Sequence, residues 1–148
     1  MGTFFETKEK ATALRKWVLI DGQDQIVGRV ASRIAAILRG KTKRTFAPHT
    51  DTGDFVVLIN AAGLKFSGNK SAGKVYKHHT GYIGSVKEVT AGTLLETKPE
   101  RVLLKAVQGM LPKTPLGRAQ LSKLKVYAGS EHPHVGQLAA SSNTATAA

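Results

Sequence analysis

The framework of the domain follows from two stretches, WVLIDGQDQIVGRVASRIAAILRG at residues 17–40 and FVVLI at residues 55–59. The run 17–21 is apolar and rich in strand formers, and the turn signal Asp21-Gly22 ends it. Over 26–39 the apolar period changes to that of a helix, so we predict an amphipathic helix there. The run 55–59 is apolar without interruption, as in a strand that is covered on both faces of a parallel sheet. Strand, helix and buried strand together predict a right-handed βαβ unit.

The predicted helix has one apolar face and one face that carries arginines. The apolar positions are Val27, Val30, Ile34 and Ile37/Leu38, and the opposite positions are Arg29, Ser32, Arg33 and Arg39. Asp24 is the candidate N-cap, and Gly40 is the candidate residue after the last turn. We therefore expect this helix to bury its apolar face and to show its arginines to the outside.

The rest of the chain predicts further short elements around the same core. We expect loose packing over 1–16, a polar loop over 41–54, a strand over 74–79, at most a weak helix over 91–97, a helix from 99 to a stop at Pro112, a short helix from 115 to about 123, and an extended pair Val126-Tyr127. Thr97-Lys98-Pro99-Glu100 predicts a capping box, followed by inward Leu103, Ala106/Val107 and Met110. Residues 137–148 have nothing to bury, so we predict a disordered tail after a single domain at 1–136.

Composition excludes several classes of protein. The chain has 148 residues with 41% hydrophobic content, which suffices for a core and excludes a wholly disordered basic tail. It has no cysteine, which excludes disulfides, thiolate zinc sites and cysteine nucleophiles and fits a reducing compartment. Its longest apolar run, 55–59, is too short to span a bilayer, and its start lacks the pattern of a secretory signal. We expect a cytoplasmic protein without a membrane partner.

The positive charge is concentrated in three stretches without acidic residues. The chain has 22 Lys and Arg against 10 Asp and Glu, a net charge of +12. The basic residues of these stretches are Arg29, Arg33, Arg39, Lys41, Lys43 and Arg44; Lys65, Lys70, Lys74, Lys77 and Lys87; and Arg101, Lys105, Lys113, Arg118, Lys123 and Lys125. Uncompensated charge destabilises a compact state, so it indicates a polyanionic partner. Membrane lipid would require a helix with a broad apolar face flanked by Trp or Phe, but the one tryptophan, Trp17, lies in a predicted strand. Nucleic acid is favoured.

Residues 68–74, GNKSAGK, have the spacing of a phosphate-binding loop. That loop requires a hydroxyl residue next and opens a long helix, whereas Val75 follows and Val75-Tyr76-Lys77 favours a strand. An NTPase is therefore a disfavoured alternative.

Asp51-Thr52-Gly53 matches the catalytic triplet of aspartic proteases. That chemistry needs two carboxylates that share a proton, but the chain has no second triplet and strong positive charge surrounds Asp51. A turn with Asx-type hydrogen bonds explains the same residues. We expect no catalytic residue here.

Five histidines raise the question of a metal site. Adjacent histidines such as His78 and His79 point to opposite faces of a strand, and no cysteine is present to complete a zinc site. We expect no metal and no other cofactor.

Two segments combine cations with features that suit RNA. Residues 74–84 alternate cations with aromatic or imidazole rings and include glycines that allow close backbone approach. Residues 110–118 contain two prolines and a glycine that fix a bend and present Lys113 and Arg118. An ordinary strand and turn, and a helix–helix connector, are the alternative interpretations of these two segments.

At these segments the sequence resembles the ribosomal protein L13 family of the large subunit, in its bacterial form. The resemblance rests on an ordered set of motifs at residues 28–32, 38–41, 48–54, 68–70, 78–81, 99–102, 109–113, 115–118 and 124–129. It implies a three-layer α/β/α fold around a mostly parallel four-stranded sheet. It also implies a non-enzymatic role on 23S rRNA, early in subunit assembly, beside other large-subunit proteins. Lys77 and Ser85 depart from the family pattern, which has Tyr and Gly there.

We therefore predict a structural ribosomal protein that binds 23S rRNA by charge neutralisation and some base stacking. It would have no small-molecule substrate. The predicted RNA-binding residues are Arg39, Lys41, Lys43, Arg44, Lys70, Lys74, Lys77, His78, His79, Lys113, Arg118, Lys123 and Lys125. A different basic nucleic-acid-binding module, such as a DNA-compacting protein, is the alternative.

Overall fold

Three short strands pair in parallel at the centre of the computed structural model, which describes residues 6–143. β1 (Trp17–Asp21) pairs with β2 (Phe55–Ile59), and β2 pairs with β5 (Leu124–Val126). The parallel pairing of the first two strands across one helix confirms the predicted βαβ unit. Two further strands, β3 (Val75–His79) and β4 (Val86–Thr90), form a separate antiparallel hairpin.

Helices connect and cover these strands. In the described residues they are α1 (Lys8–Ala13), α2 (Val27–Arg39), α3 (Lys70–Gly73), α4 (Ala91–Thr97), α5 (Pro99–Met110), α6 (Pro115–Ser122) and α7 (Val135–Asn143), with a 3₁₀ turn at Ala61–Gly63. The helix after β1, the stop at Pro112 and the short helix that follows the stop are confirmed. None of the helices described is both long and apolar enough to cross a bilayer.

The core lies between one face of the parallel sheet and the helices α2 and α5. Alternate residues of β2, Val56 and Leu58, are fully buried there, as the period of a strand requires. The helices contribute a single apolar face each, built from Val30, Ala31, Ile34 and Leu38 of α2 and from Val102, Leu103 and Val107 of α5. Each large apolar side chain buried in this way stabilises the fold by about 1.5–3 kcal/mol.

The opposite face of the sheet carries an aromatic stack. The rings of Trp17 and Phe55 are paired across the strands with centroids 4.5 Å apart, and the His134 ring lies 5.1 Å from that of Trp17. His134 also hydrogen-bonds to the Tyr127 hydroxyl at 2.9 Å and to the Gln137 side chain at 2.9 Å. These contacts anchor α7, which contacts β1.

Both ends of the described chain are more ordered than the sequence predicts. The tail was expected to be disordered from Gln137, but α7 extends to Asn143 because its first turn is tied to His134. The start was expected to pack loosely, but Ala11 of α1 is buried and Arg15 pairs with Asp51. The remainder of both predictions, at residues 1–5 and 144–148, lies outside the described residues.

The expected four-stranded sheet is wrong, because within residues 6–143 three strands share the parallel sheet and the hairpin is separate. Every residue of β3 and β4 except Tyr76 is exposed. A strand that carries Lys77, His78 and His79 cannot enter a sheet with two covered faces without a large desolvation cost. It pairs instead with β4, which the sequence analysis did not predict.

The predicted cap at the start of α2 is also wrong. The helix begins at Val27, and Asp24 adopts a left-handed conformation, φ 57°, with its carboxylate 2.6 Å from the Lys65 ammonium. The Val27 amide donates to the Lys65 carbonyl at 3.0 Å, which explains how the first turn is satisfied without a side-chain cap. At the other end, Gly40 has φ 81° and confirms the predicted left-handed terminus.

The segment around α4 and α5 differs in detail from its prediction. The weak helix over 91–97 forms in full, because the Thr90 hydroxyl accepts from the Thr93 amide. The capping box does not form: the Thr97 hydroxyl donates to the Thr93 carbonyl, and Lys98 is the N-cap before Pro99. Met110 was predicted to face inward but is 45% exposed, since the next residue, Leu111, takes the buried position.

Candidate nucleic-acid interface

Basic side chains from separate parts of the chain meet along the second half of α5. A cavity of about 340 Å³ lies between the start of α2, the α3–β3 segment and α5, and Lys70, Lys74 and Lys105 line it. The ammonium groups of Lys74 and Lys105 lie 5.2 and 5.0 Å from the centre of the Tyr76 ring. Burial raises the pKa of the Tyr76 hydroxyl, so this ring stays neutral between its two cations.

Two smaller cavities lie near the end of α5, and one of them adjoins the first cavity at Met110. One of about 200 Å³ is lined by Arg39, Lys41 and Met110, and Met110 also lines the first cavity. The other, of about 190 Å³, is lined by Lys113 and Arg118. Among residues 6–143, no acidic residue lines any of the three. We call this set the α5 basic surface; its members are Arg39, Lys41, Lys70, Lys74, Lys105, Lys113 and Arg118.

A sharp bend places Lys113 and Arg118 on this surface. The Thr114 hydroxyl accepts from the Gly117 amide at 3.2 Å and caps α6. A Cβ atom at position 117 would lie 1.9 Å from the Pro112 carbonyl oxygen, so only glycine fits there. The bend is therefore rigid, as the two prolines and the glycine predict.

The hairpin β3–β4 forms a second exposed surface. His78 lies opposite Lys87, and Lys77 lies opposite Glu88, with 2.7 Å between ammonium and carboxylate. The turn presents Tyr82, which is 78% exposed. An exposed ring of this kind can stack on an unpaired base.

The basic residues between α2 and β2 differ in their surroundings, since some are exposed and one forms contacts within the fold. Lys41 and Arg44 are exposed, and the Arg39 guanidinium lies 5.7 Å from the centre of the Phe46 ring. Lys43 instead forms an ion pair with Asp54 and donates to the Leu14 carbonyl at 3.2 Å. The structure thus gives Lys43 a part in holding the loop.

Lys123 cannot act as predicted, because it is 3% exposed. Its ammonium donates to Asp51 Oδ1 at 2.6 Å, to the Gly53 carbonyl at 2.9 Å and to the Leu38 carbonyl at 3.4 Å. Burial lowers the pKa of Lys123, and the hydrogen bond and charge of Asp51 oppose that shift. We therefore withdraw Lys123 as an RNA contact. Lys125, also predicted, is half-buried in β5 and does not line any of the three cavities along α5.

Comparison with known proteins shows the family of the chain. Residues 15–133 match the family model described as ribosomal protein L13. The chain belongs to this family. It is 53% identical over 137 residues to the large ribosomal subunit protein uL13 of Francisella philomiragia, which covers 93% of this chain and 95% of the relative. It is 56% identical over 130 residues to the uL13 protein of Geobacter sulfurreducens, covering 88% of this chain and 90% of the relative. The L13 family consists of structural ribosomal proteins, not enzymes.

Membership in the L13 family agrees with the geometry of the two motifs that resemble catalytic signatures. The Asp51 carboxylate is held by Lys123 and by Arg15, whose guanidinium lies 3.0 Å from Oδ2, so both of its oxygens are engaged in structural ion pairs. The phosphate-loop spacing leads into the single turn of α3 and then into β3 at Val75, as the sequence predicts. Within residues 6–143, no three imidazole, carboxylate or thiol groups come together as a set of metal ligands.

The sequence analysis missed three residues of these surfaces in the L13 chain. Lys105 is the most central of them, since it lines the largest of the three cavities along α5. The sequence analysis counted it among the basic residues of an acid-free stretch, and nothing along the sequence connects it with residues 70–76. Tyr82 and Lys87 lie at the end of the hairpin, whose second strand was not predicted.

Proposed function

We propose that this L13-family protein binds 23S rRNA through the α5 basic surface and the tip of the β3–β4 hairpin. The observation that carries the proposal is that basic side chains from α2, α3, α5 and the bend line three cavities along α5, and that the described lining of these cavities includes no acidic residue. Such a surface neutralises several phosphates at once and gains from the release of their counterions. The names of the relatives support the ribosome as the setting.

The role is structural. Contacts to phosphates position a protein on RNA without reading its sequence, and neutralising those phosphates lets RNA helices approach each other. The protein would act in the ribosome, in the cytoplasm, with neighbouring large-subunit proteins as further partners. Early entry into assembly is supported by the core, which the chain completes with its own side chains from α2, α5 and the sheet. A protein that completes its core without RNA can bind before other parts of the particle are in place.

Binding to 23S rRNA at increasing salt concentration tests the proposal. We expect the logarithm of the affinity to fall with the logarithm of salt by about 0.7–0.9 per phosphate neutralised, which gives a steep slope for several contacts. In gradient sedimentation of cell extract, the protein should travel with large subunits, and pulse labelling should find it in the earliest precursor particles. Sedimentation with the nucleoid would favour a DNA-compacting protein. ATP hydrolysis that Lys74→Ala abolishes would favour an NTPase.

A further inference from the structure

Two glycines leave helix backbone bare inside the largest cavity of the α5 basic surface. Gly28 is the second residue of α2, and Gly109 lies in the last turn of α5. Both are exposed, and both line the cavity of about 340 Å³. A Cβ atom added at either position would meet nothing within 4 Å. The protein itself therefore leaves this space open.

Neither a close contact nor the backbone conformation in the described fold requires glycine at these two positions. Gly53 and Gly117 are required, because a Cβ atom there would lie 1.7 and 1.9 Å from carbonyl oxygens. Gly40 is required by its left-handed φ of 81°. Gly28 and Gly109 show no close neighbour and no positive φ, although glycine destabilises a helix relative to alanine. A group from outside the chain that approaches the backbone closely explains both.

The other walls of the cavity indicate the chemistry of that group. The cavity is lined by Lys70, Lys74 and Lys105, which require an anion. The Tyr76 ring, which would otherwise stack on a base, already has two ammonium groups within about 5 Å of its centre, at 5.2 and 5.0 Å. The combination of cations and bare backbone fits a phosphate with its ribose better than it fits a base.

We propose that this cavity holds one sugar–phosphate segment of the bound RNA. The phosphate lies among the ammonium groups of Lys70, Lys74 and Lys105, and the ribose lies against the backbone at Gly28 and Gly109. The inference rests on the proposed function, since it specifies which part of the RNA this part of the surface receives. It adds that the open space at Gly28 and Gly109, and not positive charge alone, determines how the RNA fits into the cavity.

Substitutions that fill the cavity and leave every charge in place test the inference. Gly28→Leu should weaken binding to 23S rRNA about tenfold, and Gly28→Ala and Gly109→Ala should weaken it less. The salt slope should stay unchanged, because the lysines remain. The melting temperature of the alanine variants should stay equal or rise. Hydroxyl-radical footprinting should show the loss of one short ribose protection in Gly28→Leu, with the other protections retained.

Gly136 supplies a matched control. It is the second residue of α7 as Gly28 is of α2, it is exposed, and a Cβ atom there also meets nothing within 4 Å. Gly136→Leu should leave the affinity unchanged. If the wild-type protein does not bind 23S rRNA, the proposed function and the inference fall together. If it binds and Gly28→Leu binds equally well, or if Gly28→Ala lowers the melting temperature along with the affinity, only the inference is overturned.

Discussion

The ammonium of Lys123 lies 2.6 Å from the carboxylate of Asp51 and joins the start of β5 to the end of the basic loop before β2. Arg15 holds the second carboxylate oxygen at 3.0 Å, and Lys43 pairs with Asp54 close by. The acidic residues of this region are therefore neutralised inside the fold by part of its basic residues. The exposed cations, such as Arg44, keep their charge for a partner.

Replacing Lys123 by methionine should destabilise the protein by about 3 kcal/mol, because Asp51 Oδ1 and two carbonyl oxygens lose their donor and Asp51 keeps only its ion pair with Arg15. Urea denaturation measures the change. Lys113→Met, at an exposed position, should change the free energy of unfolding by less than about 0.5 kcal/mol. Equal effects of the two substitutions would show that the Lys123 contacts contribute no net stability.

Gly53→Ala should cost more than about 3 kcal/mol or prevent cooperative unfolding, because the new Cβ atom would lie 1.7 Å from the Leu38 carbonyl oxygen. The two atoms that collide are the Cβ atom at position 53, next to β2, and the Leu38 carbonyl oxygen of α2. The backbone of both positions is held in place by these elements. Gly73→Ala, where a Cβ atom meets nothing within 4 Å, is the matched control. A melting temperature of Gly53→Ala close to that of the control would contradict the close approach of the loop to α2.

The βαβ unit could be predicted because its signals are local. The run 55–59 is apolar throughout, and the single apolar face of 26–39 fixes which side of α2 meets the sheet. The separate hairpin could not be predicted as readily, because β4 has no apolar run and is defined only by its pairing with β3. The helix α7 could not be predicted, since its anchor, the stack of His134 on Trp17, joins residues that are far apart in sequence.

The candidate interface was predictable by residue type but not by arrangement. Acid-free stretches drew attention to Lys41, Lys74 and Arg118, which are exposed in the structure. The same rule included Lys123, because a sequence shows no difference between an exposed lysine and one that a distant carboxylate holds in the interior. The rule counted Lys105 too, but the predicted RNA-binding set left it out, because its position near the Tyr76 ring, together with Lys74, depends on the packing of α5 near β3.

Lys113→Glu combined with Arg118→Glu should impair incorporation into large subunits and leave the melting temperature nearly unchanged. Both side chains are exposed on the rigid bend, so the exchange reverses charge without disturbing the core. Lys10→Glu with Lys98→Glu makes the same change in net charge at exposed positions outside the α5 basic surface. Sedimentation of tagged protein measures incorporation. Equal loss in both double variants would assign the effect to net charge alone.

The carboxylate of Asp21 should titrate below its ordinary pKa of 3.8, because it accepts hydrogen bonds from the Gln23 amide at 3.0 Å and from the Asn60 side chain at 2.9 Å. A lowered pKa in the folded state means that the stabilisation is complete above pH 3.8 and is lost as the pH falls through the folded value. NMR titration measures the pKa directly. Asn60→Ala should raise it without restoring the full ordinary value, since the Gln23 amide remains.

Tyr82→Ala should weaken binding to 23S rRNA by about tenfold, the loss expected when one stacked base loses its ring, and should leave the salt slope unchanged. Tyr82 is 78% exposed at the hairpin turn, so its removal should not lower the melting temperature. Lys87→Ala, on the adjoining strand, should instead reduce the salt slope by about 0.7–0.9, because it removes one phosphate contact. Val135→Ala, at a residue that is 65% exposed beyond the sheet, is the control for loss of exposed apolar surface. An unchanged affinity in Tyr82→Ala, with a reduced slope in Lys87→Ala, would show that the hairpin contacts RNA by charge only and that its exposed ring does not stack.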